Sequence, residues 1–129
     1  MPFGPWFERG SDDPKIREGL TFLVDEAIDI LSAHFGMDIN NDELWDKIDL
    51  PIVQIGRDPG YYDNIIYLPD NIKRGDSSIG HEVAHWFLGI LNPNYRILTR
   101  NHPVVINYLE PIADIYGLIY ASKVRGLQN

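Results

Sequence analysis

Between Pro14 and Phe35, apolar residues recur at intervals of three and four: Ile16, Leu20, Leu23, Val24, Ala27, Leu31 and Phe35. That period puts them on one stripe of a helix over about 14–35. Asp13 supplies an N-cap, Pro14 suits the first helical position, and Gly36 suits the left-handed residue that ends it. Before it, Pro2, Gly4, Pro5 and Gly10 break any regular element, so residues 1–13 read as an irregular arm anchored by Phe3, Trp6 and Phe7. Asn41–Lys47 reads as a short capped helix.

The period then shortens. Ile52–Ile55 and Asn64–Leu68 are β-branched and aromatic runs bounded by Pro51, Gly56 and Pro69, which predicts two strands. The turn-rich Arg57-Asp58-Pro59-Gly60 makes them a hairpin or two neighbouring strands. Asp76-Ser77-Ser78 offers N-caps for a helix running to about Leu91, where Asn92-Pro93-Asn94 stops it. A last helical region, about 103–125, contains Pro111 and is expected to be kinked or split there. Helix, strands, helix, helix reads as α+β, in a single domain spanning residues 1–129.

Composition narrows the chemistry. Among 129 residues, 11 Lys+Arg stand against 19 Asp+Glu, a net charge of −8, which argues against nucleic acid and anionic membranes as partners. No apolar run approaches a membrane span, and no basic segment followed by an apolar one marks a secretory signal. A cytoplasmic location is therefore the expectation. There is no cysteine, so any metal must be held by His and carboxylates. The acidic Asp25, Glu26 and Asp29 read as a solvated helix face, and His34 as a capping or surface residue.

One motif carries chemistry. His81-Glu82-Val83-Ala84-His85 lies within the predicted helix 77–91, and a spacing of four puts both imidazoles on one face, within reach of one ion. Glu82 is well placed to hold a water on that ion. A third ligand is needed. The candidates are His102 and the downstream carboxylates, of which Glu110 stands out because an acidic side chain in so apolar a run is costly unless paired or metal-bound. Asp114 falls four residues later on the same face, where it can accept a hydrogen bond from a ligand histidine.

His81-Glu82-x-x-His85 followed by Glu110-x-x-x-Asp114-Ile115-Tyr116-Gly117 resembles the gluzincin clan of zinc metallopeptidases, the thermolysin-like enzymes. The chain's size is similar to that of the minimal, single-domain gluzincins. The resemblance covers about residues 77–118 and implies a zincin-like fold. It also implies Zn²⁺ on His81, His85 and Glu110, Glu82 as general base, Asp114 orienting a histidine, and a peptide or protein substrate. It further implies a latent form, with the arm or the tail Arg125–Asn129 in the cleft, and an edge strand that binds extended substrate, for which Asn64–Leu68 is the candidate. Pro111 departs from the pattern, since a residue before proline is biased away from helical geometry. Only Ile115–Asn129 follow Asp114, too little for a thermolysin-type C-terminal subdomain, so an oxyanion donor is expected among His102, Tyr95, Tyr61, Tyr62 and Tyr108. The alternatives are a non-proteolytic zincin-like domain that binds zinc to regulate or recruit, and a metal-free interaction module.

Overall fold

The structure is a computed structural model that describes residues 13–36, 48–92 and 94–128. The predicted arm up to residue 12 and the predicted helix 41–47 lie outside the described residues. Helix α1, Pro14–His34, begins as its sequence dictates: Asp13 Oδ1 accepts from the Lys15 amide at 2.9 Å. It ends with Gly36 at φ +70°, a conformation glycine adopts without strain. Leu20, Val24, Ala27, Ile28 and Leu31 are its buried stripe.

Three strands follow, β1 (Ile52–Ile55), β2 (Gly60–Tyr62) and β3 (Ile65–Leu68), in spatial order β1-β3-β2. The two predicted strands are neighbours, but they pair in parallel, Ile52 with Ile65 through Ile55 with Leu68. The hairpin is the antiparallel pair β2–β3, turned by Asp63 and Asn64 at φ +49° and +66°. Positive φ at both central residues is the twist that matches the flanking strands, and Asp and Asn tolerate it better than most residues. Asn64 is therefore a turn residue rather than the first residue of a strand. Its side chain donates to the Leu50 carbonyl at 3.0 Å and accepts from the Trp86 indole at 3.2 Å, tying the turn to the core.

Helix α2, Ser77–Leu91, is capped by Asp76, which accepts from the Ser78 amide at 2.9 Å. It is buried on nearly every side, from Ile79 and Gly80 to Trp86 and Phe87. Short helix α3 (Tyr95–Leu98) and the turn α4 (His102–Val104) lead into a π-helical turn, Val105–Leu109, and then α5, Glu110–Gln128. The expected break at Pro111 takes the form of a π turn, after which a separate α-helix begins at Glu110 with Pro111 as its second residue. Glu110 is helical (φ −66°, ψ −47°), and its amide donates five residues back, to the Val105 carbonyl. Proline has no N–H and its ring collides with the carbonyl four residues earlier; widening the preceding turn relieves both. The acidic face is also partly paired. Glu26 takes a bidentate bridge from Arg74, at 2.7–3.0 Å, while Asp25 and Asp29 are exposed. No helix among the described residues is long and apolar enough to cross a membrane.

The core joins α1, the sheet, α2 and α5. Helices α2 and α5 cross at two glycines. A methyl on Gly117 would lie 2.5 Å from the Ser77 carbonyl oxygen, and one on Gly80 would lie 2.6 Å from Tyr120 Cβ and 2.9 Å from Gly117 Cα. Beside the crossing, buried Tyr120 accepts a hydrogen bond from the Gly75 amide at 3.1 Å. Gly117→Ala should therefore destabilise the protein by about 1–3 kcal/mol, the cost typical of overpacking. Gly19→Ala on α1, with open space around it, should stabilise by up to about 1 kcal/mol. Urea unfolding of the two variants checks both signs.

Candidate metal centre

The cap at Asp76 fixes where α2 starts, and so which face carries His81 and His85. The α2–α5 crossing brings Glu110 over that face. His81 Nε2 lies 2.9 Å from Glu110 Oε2, His85 Nε2 lies 3.1 Å from Glu110 Oε1, and the two Nε2 atoms are 3.1 Å apart. These three residues form a group able to hold a metal ion. The donor separations are somewhat shorter than the edge of a tetrahedron with bonds of about 2.0–2.2 Å, about 3.3–3.6 Å, and all three residues line one cleft. Two imidazoles and one carboxylate suit a borderline divalent ion.

Both imidazoles are held on their other nitrogen. His81 Nδ1 is 2.8 Å from Asp114 Oδ1, four residues along the helix from Glu110. His85 Nδ1 is 2.7 Å from the Tyr95 hydroxyl. The Tyr61 ring stacks on His85 at 6.4 Å with the planes 10° apart. Tyr95 stood among the candidate oxyanion donors, yet its hydroxyl belongs to His85. No spacing rule links the two, because they meet only through the turn between α2 and α3.

The three residues face a cleft of about 1450 Å³, walled by the β2–β3 hairpin, α2, Tyr95, Thr99-Arg100 and the π turn. Tyr61 and Tyr62 line it, whereas His102 and Tyr108 do not, and His102 is outside the ligand group. The strand at the edge of the sheet beside this cleft is β2; the expected candidate, Asn64–Leu68, supplies β3, which is central. The tail continues α5 as far as Gln128 and none of its described residues lines the cleft. His34 ends α1 with its ring edge against Phe35 at 5.4 Å, apart from the cleft.

Glu82 is buried at 6% exposure, lines the cleft, and makes no hydrogen bond among the described residues. Burial pushes its carboxyl up to about 7, against the opposing pull of His85 and His81. For His81, burial pulls downward, but the hydrogen bond to Glu110 and the charges of Glu82, Glu110 and Asp114 outweigh it and raise the imidazole to about 9. Hydrogen bonds from His81 and His85 hold Glu110 well below the usual carboxylate range. Burial raises the Tyr95 phenol.

Compared with known protein families, with curated proteins and with solved structures, the chain matches none.

His81 has a higher pKa folded, about 9, than its ordinary 6.5. Its contribution to the metal-free fold is thus full below 6.5 and lost as pH rises through 9. Metal binding needs the proton gone from Nε2, so zinc affinity should climb across the same window. Urea unfolding of metal-free protein and zinc titration between pH 6.5 and 9 should move in opposite directions. Glu110→Ala should abolish zinc binding in the same titration, and His102→Ala should leave it unchanged.

Proposed function

We propose that this protein is a zinc-dependent peptidase with a zincin-like fold of the gluzincin kind. The observation that supports the reading best is the convergence of His81, His85 and Glu110 at 2.9–3.1 Å on a cleft also lined by the buried carboxyl of Glu82. A metal site that only braces a fold has no use for a carboxyl that lines the cleft beside the donor atoms and outside the donor group.

Zinc, held by His81, His85 and Glu110, would supply a Lewis acid that polarises a carbonyl and acidifies water. The chain's own groups do the rest. Asp114 and Tyr95 keep the imidazoles aimed at one point. Glu82 accepts the proton of the attacking water and passes it to the departing amine nitrogen, a relay for which a pKa near neutrality is apt. Strand β2, at the sheet edge beside the cleft, is placed to take an extended peptide by adding a strand, which would make main-chain recognition independent of side-chain sequence. The substrate class is peptide or protein.

Glu82→Gln tests the reading. It should bind zinc as the parent does and cut a peptide library about 10²–10⁴-fold more slowly. Equal cleavage by the two proteins would remove Glu82 from the chemistry. Zinc binding without cleavage by either would leave a regulatory or recruiting zinc domain.

A further inference from the structure

The cleft wall is acidic with one exception. Asp49, Asp63, Glu82 and Glu110 line it, and among the described residues its single Lys or Arg is Arg100. In a chain of net charge −8, cations find carboxylates readily: Arg74 bridges Glu26 at 2.7 Å, and Arg57 reaches Asp58 at 3.3 Å. Arg100 is exposed, and its side chain makes no ion pair or hydrogen bond among the described residues, although four carboxylates share its cleft. Its backbone is fixed. The Thr99, Arg100 and Asn101 amides donate to the Tyr95, Ile97 and Leu98 carbonyls at 2.9–3.1 Å, and the Asn101 side chain accepts from the Val104 amide at 3.3 Å. Tyr95, the first residue of α3, is the one bonded to His85 at 2.7 Å. Five residues at helical rise, about 7–8 Å, separate it from Arg100. An extended peptide advances about 3.3 Å per residue, so it would pass from the donor atoms to Arg100 within a few residues.

We propose that Arg100 is a specificity residue of this cleft: its guanidinium takes a carboxylate of the substrate, from an Asp or Glu side chain or from a free C-terminus, a few residues from the metal centre. The inference rests on the reading of the cleft as a peptide site. The planar fork of N–H donors meets a carboxylate in two parallel hydrogen bonds. An arginine already paired within the protein would have to break that pair first, whereas Arg100 has none to break. Away from the donor atoms the rest of the wall offers an anion only the like charge of Asp49 and Asp63. Arg100 therefore fixes where along the cleft a carboxylate is accepted, and with it the register of the peptide. Strand addition to β2 leaves that register open, because every second residue of a peptide offers the same main-chain hydrogen bonds. One charged contact closes the choice.

Zinc-loaded Glu82→Gln, titrated with peptides in a calorimeter, reads binding apart from cleavage. One peptide library is used in three forms: amidated with Gln at every acidic position, amidated with Glu there, and the Gln form with a free C-terminus. The expected result is that a carboxylate-bearing form binds about tenfold or more tightly than the neutral form at low salt. Adding Arg100→Gln, an exchange at an exposed side chain, should bring that ratio to about one. Preference for the Glu form assigns the contact to a side chain, and preference for the free C-terminus assigns it to the end of the peptide. No preference for either form would overturn the proposal, as would a preference that Arg100→Gln leaves intact. An Arg100-dependent preference in a protein whose parent cuts no peptide would remove the peptidase reading and leave this one standing; cleavage without any preference would do the reverse. Peptides neither bound nor cut would overturn both.

Discussion

The close approach of α2 and α5 is the constraint on which the rest depends. Where two helices meet through side chains, their separation adjusts by ångströms as rotamers change. Here backbone meets backbone, since Gly117 and Gly80 leave no room for even a methyl group. Backbone cannot relax in that way, so the crossing acts as a fixed pivot. Gly80 is the residue before His81. Gly117 is two turns along α5 from Glu110, a rise of about 10 Å, with Asp114 between them on the same stripe. The pivot thus sets the height of Glu110 over the imidazoles and of Asp114 beside His81 in one step. The hydrogen bonds at 2.8–3.1 Å are the consequence.

The π turn complements that pivot. A regular α-helix entering Pro111 would set the proline ring against the Asn107 carbonyl, and relief by a kink would swing Glu110 off the stripe it shares with Asp114 and Gly117. Taking the strain up as a wide turn over Val105–Leu109 confines it to residues before Glu110. From Glu110 onward α5 is regular. The local irregularity and the glycine contact therefore sit on either side of the two carboxylates and protect their geometry from both ends.

Much of this was legible in the chain because its signals are local. Asp13-Pro14 and Asp76 cap helices by contacts two residues away, and the Gly36 stop needs no partner. The four-residue spacing of His81 and His85 is likewise intrinsic to a helix. Glu110 could be singled out by its cost in an apolar run, and the fold brings it beside His81 and His85, with His102 outside that group. What escaped was non-local or ambiguous. Strand β2 is three residues long and too short to show a period, and Asp63-Asn64 resembles any polar loop until both residues are seen at positive φ. The parallel pairing of β1 and β3 depends on that missing strand. Tyr95 was visible as a tyrosine and invisible as a partner of His85, because the contact is made across a turn. Glu26 looked like part of a solvated face for the same reason: Arg74 lies in the loop before α2.

Glu82 stands apart from every other polar group in the site. His81, His85, Glu110 and Asp114 satisfy one another, so each could be retained for folding alone. Glu82 is more deeply buried than Glu110 and Asp114, has no hydrogen-bond partner among the described residues, and has its carboxyl raised to about 7 by that burial. A carboxyl on the cleft wall with its pKa raised to about 7, beside three convergent donor atoms, has the properties a proton relay requires. The functional reading therefore leans most on the carboxyl of the motif that makes no hydrogen bond among the described residues.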